Sequence, residues 1–206
     1  KLLKAYGKQG WWPLSKNQLQ PKHHNGKPKN KTDKFEIILG AILTQNTSWT
    51  NVEKAIYNLN QANLLHPKSL IKTKKETIAK LIRPAGYFNQ KSERLKIMAK
   101  YFLKNPNLLN KETNILRQEL LGLKGIGPET ADSIILYAAE KPSFVVDAYT
   151  RRIFSRLTLV NEKAHYDNIK QFFENNLNKN TGMYKEYHAL IVEHAKQHCK
   201  TEPKCN

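Results

Sequence analysis

The sequence predicts an all-α protein, and three observations carry that reading. Apolar residues recur at helical spacing, first at Phe35, Ile38, Leu39, Ile42 and Leu43, one face of a helix over two turns. No run of alternating apolar and polar residues is long enough to build a sheet; Ser143 to Val146 is at most a short extended piece. Proline and glycine fall between the periodic segments, at Pro84, Gly122 and Pro128, where helices stop and start.

Residues 1–34 read as irregular, with Trp11-Trp12-Pro13 a dense apolar cluster and residues 20–34 a charged loop containing two prolines and a glycine. Thr32 or Asp33 is placed to cap the helix that carries Phe35 to Leu43. A second helix fits Trp49 to Gln61, with Val52, Ile56 and Leu59 inward. Ser69 to Leu81 reads as one helix stopped before Pro84, and Gln90 to Phe102 as another, with Leu95, Met98, Ala99 and Phe102 on one face. Thr113 to Leu121 ends at Gly122. Pro128 to Glu140 begins with proline in a first turn, where its missing N–H costs little. Asp147 to Leu157, Tyr166 to Leu177 and Tyr184 to Cys199 complete a set of eight to ten short helices, with no internal repeat of the solenoid type.

Composition narrows the function. The 206 residues suffice for one large domain or two small ones. Lys plus Arg number 35 against 17 acidic residues, a formal charge of +18, and the pI is near 9.8. Such an excess points to nucleic acid, since neutralising phosphates releases counterions. A Lys- and Asn-rich surface with no such partner is the competing reading, and just six of the basic residues are Arg. Mean hydropathy is −0.66, which excludes a membrane protein. The longest apolar stretch, Phe35 to Leu43, is interrupted by Glu36 and falls far short of the roughly 20 residues of a span. The opening Lys-Leu-Leu-Lys has no signal-peptide pattern, and Lys1 in place of Met predicts that leading residues are missing. Two cysteines near the end form no disulfide framework, which predicts a reducing, cytoplasmic compartment, and the charge reading adds association with the nucleoid there.

The most informative stretch runs from Leu120 to Arg152. At Leu123-Lys124-Gly125-Ile126-Gly127 one helix ends, two glycines turn the chain, and another helix opens at Pro128. The unpaired N–H groups of a helix start make an anion site, here suited to a DNA phosphate held by Lys124, Gly125 and Gly127. Such a corner also serves for packing alone. Downstream lie Val146-Asp147 and Tyr149 to Arg152, and upstream Leu43-Thr44-Gln45-Asn46-Thr47.

These segments together resemble the helix-hairpin-helix DNA glycosylases of the endonuclease III type, from about Phe35 to Cys205. The resemblance implies two helical lobes with a DNA-binding cleft between them. One lobe would span 35–140, with the hairpin at about 120–140, and the other would combine 1–34 with 141–206. It implies a monomer acting on double-stranded DNA that contains damaged bases, with no membrane association.

The resemblance also gives individual residues roles. Asp147, which by itself reads as a helix cap, becomes the carboxylate that stabilises positive charge on the deoxyribose as the base departs. Bifunctional members carry a lysine two residues after the second hairpin glycine, and it attacks C1′ to form a Schiff base. Here Glu129 stands there, and a carboxylate forms no Schiff base, so the chain is expected to be a monofunctional enzyme without AP-lyase activity. Trp11-Trp12-Pro13 and the segment Arg83 to Lys91 resemble the 3-methyladenine glycosylases of this type, in which a flipped alkylpurine stacks on aromatic rings. A cationic purine is attracted to such a face by up to ~2 kcal/mol when desolvated. At least one of Trp11 and Trp12 is expected to serve as a core staple. Gln45 would plug the gap left by the flipped base and Tyr87 would wedge the opposite strand, with Phe88 either beside it or in the core. Cys199 and Cys205 resemble the first half of a four-cysteine loop that holds a [4Fe–4S] cluster. The chain as given supplies no such cofactor, so a cluster would need cysteines beyond it. His194 and His198, one helical turn apart, read as exposed polar positions or as zinc ligands. The competing functions are a mismatch glycosylase removing thymine or uracil opposite guanine, and a non-catalytic DNA-binding module.

Overall fold

In a computed structural model, which describes residues 1–16, 18–23 and 26–203, the chain is a set of helices joined by irregular segments. Its helices are α1 (Leu2–Tyr6), α2 (Lys31–Leu43), α3 (Trp49–Gln61), α4 (Pro67–Lys72), α5 (Lys75–Leu81), α6 (Phe88–Lys104), α7 (Thr113–Leu121), α8 (Pro128–Ser133), α9 (Ala148–Arg156), α10 (Tyr166–Asn176) and α11 (Thr181–Gln197). A bridge between Leu14 and Lys22 is the one β pairing among the described residues.

Helix α2 is the axis of the molecule. Phe35, Ile38, Leu39, Ile42 and Leu43 are fully buried, each side chain contributing ~1.5–3 kcal/mol relative to exposure. Burial continues around the helix, because α3, α6, α8 and the π-turn Ile134–Ala138 all pack on it. The expected cap at Thr32 or Asp33 is corrected: Asn30 accepts the Asp33 N–H at 2.9 Å. The Asp33 carboxylate in turn accepts the Lys29 N–H at 2.8 Å. These two side-chain caps start α2 inside the stretch read as a loop.

Two further boundaries differ from the sequence reading. Ser69 to Leu81 is two helices, because Thr73 and Lys74 are extended between α4 and α5. The Lys96 ammonium fills the break, donating to the carbonyls of Ile71 and Thr73. Pro128 to Glu140 is α8 followed by the π-turn, a wider turn often found at functional sites. The N-terminal residues are not wholly irregular, since α1 packs against α11. With α1 added and the α4–α5 segment split, there are eleven α-helices among the described residues.

Lys91 ties α6 to the centre. Its buried ammonium donates to the Leu43 and Ala85 carbonyls, each at 2.8 Å. It thereby satisfies the end of α2 and the turn that precedes α6. Burial lowers its pKa to about 8. A second buried ion cluster joins α7, α8 and α10. Asp132 accepts Arg117 at 3.0 and 3.2 Å and the Ser143 hydroxyl at 2.7 Å, with Lys170 3.7 Å away.

Candidate active site

Trp11 and Trp12, the loop Thr44 to Ser48, the start of α8, the Asp147 cap of α9 and the inner face of α11 surround a cavity of about 690 Å³. Its aromatic wall is made by Trp11, Trp12 and Trp49. Trp12 stands edge-on to Trp49 with ring centres 5.3 Å apart, and Trp11 lies 6.1 Å from Trp49. Trp12 is nearly buried, at 6% exposure, against Gly40, where a Cβ would approach its indole to 2.9 Å. Trp12 therefore belongs to the core while its edge reaches the cavity. Trp11 is more open, and the Lys196 ammonium lies 5.9 Å from its ring centre.

The polar wall carries three carboxylates, of which Glu53 accepts the Trp49 indole N–H at 2.7 Å. Asp147 caps α9, its Oδ1 accepting the Thr150 N–H at 2.7 Å. Its Oδ2 lies 3.6 Å from His188 Nε2, too far for a formed hydrogen bond. Burial would raise this carboxyl, but His188 and the Thr150 N–H outweigh it and hold the pKa below the ordinary range. Glu129 is exposed at the cavity wall, although protein crowds its carboxyl. That desolvation, followed by the negative charge of Asp147, pushes its pKa up to about 7, with His188 opposing. Two neighbouring carboxylates are thus driven apart in acidity, an arrangement suited to hydrolytic chemistry.

The hairpin lies at the rim. Gly125 has φ +83° and Arg94 crosses it, so that a Cβ would meet Arg94 Nε at 2.2 Å. Gly127 opens α8 in extended backbone with clear space around it. Gln45 does not hang free. Its amide donates to the Gly125 carbonyl at 3.0 Å and the Thr130 hydroxyl at 2.9 Å, and its oxygen accepts Arg94 at 2.5 Å. Lys124 is 75% exposed and paired with Glu93 at 2.8 Å. Tyr87 is 63% exposed, in left-handed backbone at φ 45°, while Phe88 packs on the core.

The structure thus brings Trp11, Trp12, Gln45, Glu129 and Asp147 around one cavity, with Gly127 at its edge and Tyr87 and Lys124 outside it. At the tail, Cys199 accepts Arg156 at 3.2 Å. Cys205 lies outside the described residues. His194 bonds the Tyr6 hydroxyl at 2.9 Å, and no group of three or more candidate metal ligands occurs among the described residues. His188, Tyr137 and Arg94 were not anticipated from the sequence. His188 carried a faint signal, a histidine leading the apolar run Ala189 to Val192 on the buried face of α11.

Comparison with known proteins places this geometry. The chain matches the family model described as HhH-GPD superfamily base excision DNA repair protein over residues 39–179. It is 47% identical over 211 residues to "Putative DNA repair glycosylase MJ1434" of Methanocaldococcus jannaschii, covering 100% of this chain and 88% of that one. It is 30% identical to an endonuclease III of Sulfolobus acidocaldarius, covering 88% of this chain and 80% of that one. Among solved structures it resembles the H. pylori 3-methyladenine DNA glycosylase MagIII bound to 1,N6-ethenoadenine. The TM-score is 0.73 at 30% identity, covering 95% of this chain and 92% of that one. The chain belongs to the HhH-GPD superfamily and is a DNA glycosylase of the endonuclease III type.

Proposed function

We propose that the chain is a monofunctional glycosylase that flips alkylated purines such as 3-methyladenine out of double-stranded DNA and hydrolyses their N-glycosidic bond. The observation that carries this reading is the pairing of an ionised Asp147 with an aromatic cavity, with Glu129 at the position of the lyase lysine. A flipped purine would enter against Trp11 and the edge of Trp12. As the bond from C1′ to the base nitrogen breaks, its electron pair leaves with the base. A cationic base becomes neutral in that step, so stacking can select it with little acid catalysis. Positive charge develops on the sugar, and Asp147 stabilises it before water adds to C1′ and loses one proton to solvent. Gln45 would fill the vacated stack, Tyr87 would wedge the opposite strand, and Lys124 with the hairpin N–H groups at Gly125 and Gly127 would hold phosphates. In this reading the segment 35–140 forms one lobe and the two ends of the chain the other. Likeness to a 3-methyladenine glycosylase that holds an etheno-purine supports a purine-sized pocket.

Duplexes carrying 3-methyladenine, 7-methylguanine, hypoxanthine, or uracil or thymine opposite guanine test the reading. Alkylpurine release that nicks DNA only after alkali is expected, with no borohydride-trapped adduct. Glu129→Lys should introduce a trapped adduct. Lys196 is the lysine lining the cavity, so a wild-type adduct lost in Lys196→Met would overturn monofunctionality. Release of uracil or thymine in preference to the alkylpurines would replace the substrate class.

A further inference from the structure

His188 sits on the inner face of α11 at 5% exposure. Its Nδ1 lies 2.7 Å from the Tyr137 hydroxyl on the π-turn. Tyr137 is wholly buried, and burial followed by the charges of Asp147 and Glu186 holds its phenol protonated, well above the ordinary pKa. The phenol's other acceptor, the Lys185 carbonyl, is 3.4 Å away, so the proton is directed to Nδ1. A neutral imidazole that accepts at Nδ1 carries its own proton on Nε2. That Nε2 is buried, has no hydrogen-bond partner and lies 3.6 Å from Asp147 Oδ2. A buried donor left unpaired is costly, and an apolar side chain would pack there without that cost. The other charged groups on this cavity are Glu53 from α3, Arg94 from α6, Glu129 from α8 and Lys196 from α11, while Trp11 stands edge-on to the imidazole at 6.0 Å.

We propose that His188 is the positioning residue of Asp147. Tyr137 locks the imidazole so that Nε2–H faces the carboxylate, closes on it when the cavity is filled, and keeps it charged and aimed at the sugar. Hydrogen bonds of this kind are often long in free enzymes and tighten with substrate. The inference rests on the reading of Asp147 as the catalytic carboxylate.

The test compares His188→Leu, His188→Gln and Tyr137→Phe, each alone and combined with Asp147→Asn. The readout is single-turnover base release from the duplex processed best in the panel above. His188→Leu should slow release about tenfold or more, the scale of one hydrogen bond to a charged group. DNA affinity should stay unchanged. The acid limb of the rate profile should move to higher pH, because burial is then opposed at Asp147 by Thr150 without the imidazole. His188→Gln, which can offer an amide N–H near the place of Nε2, should restore part of the rate. Tyr137→Phe should cause a smaller loss of the same kind. In the Asp147→Asn background none of these should cost more, since His188 acts through Asp147. An unchanged rate and acid limb in His188→Leu, while Asp147→Asn is slow, would overturn this proposal alone. Intact release in Asp147→Asn would overturn the catalytic reading and this proposal with it. Nitrogen-15 spectra of the wild-type imidazoles give a readout independent of substrate and of variant folding: His188 should show the single Nε2–H tautomer, and a mixture would contradict the proposal.

Discussion

Asp132 and Asp147 are two largely buried aspartates on neighbouring segments, and their surroundings differ in what is left over. Asp132 is fully enclosed and saturated, with Arg117 across both oxygens, Ser143 at 2.7 Å and Lys170 nearby. Nothing on that carboxylate remains for a ligand. Asp147 spends one oxygen on the α9 cap and leaves the other facing a cavity with a single imidazole at 3.6 Å. A saturated buried carboxylate holds helices together; an under-coordinated one is available to developing charge. The same contrast separates Lys91, whose ammonium is committed to two carbonyls, from Lys124 on the open rim.

The largest effect expected from this contrast is on stability at Asp132. Asp132→Ala strands Arg117 and Lys170 and should cost about 3–5 kcal/mol in denaturant unfolding. The lower end is expected, because Arg117 keeps Asp167 at 2.5 Å and Lys170 keeps Glu174 at 2.6 Å. Base release per folded molecule should change little. A stable variant with lost chemistry would erase the distinction.

Next in size is Gly125. Its left-handed backbone and the overlying Arg94 mean that Gly125→Ala must strain the turn and displace Arg94. That also removes a donor from Gln45. Gly127→Ala meets open space, so it should leave folding intact and weaken DNA affinity through access to the hairpin N–H groups alone. Thermal melts beside Kd values separate the two. Equal melting losses at both glycines would contradict the difference in their surroundings.

Glu129 should then reveal its raised pKa. Its carboxyl is pushed up to about 7 in the folded chain from the ordinary 4.5. The folded state therefore holds a proton that the unfolded state releases between those values, and stability falls as pH rises through that window. Glu129→Gln should melt higher than wild type above pH 7, and the gap should close below about pH 4.5. A gap independent of pH would remove the crowding of this carboxyl from the account. Smallest of all, Lys124→Ala should lower the log–log salt slope of DNA binding by about 1. An unchanged slope would mean that Glu93 keeps Lys124 from the phosphates.

Legibility in the sequence followed how local each signal was. Helices α3 and α7 match their sequence-based ranges because the apolar period lies within each segment and Gly122 stops α7. The start of α2 was misplaced because Asn30 caps it from within a charged stretch. The break after Lys72 depends on Lys96, a residue of another helix. At the site, Trp11, Trp12, Gln45, Glu129 and Asp147 were legible through short motifs, and they do surround one cavity. His188 was not, because its role arises from contacts with Tyr137 and Asp147 that sequence spacing does not encode. The bonds that fasten Gln45 to the hairpin were equally hidden.

Asp147→Asn tests the central claim most directly. Asparagine caps a helix about as well as aspartate, so thermal stability should hold, and DNA affinity should hold or rise as a negative charge near phosphate is removed. Single-turnover base release should nonetheless fall by at least about 10²-fold, the scale of losing one electrostatic stabiliser. Release at the wild-type rate from a folded, DNA-binding Asp147→Asn would contradict the account and leave Asp147 a helix cap.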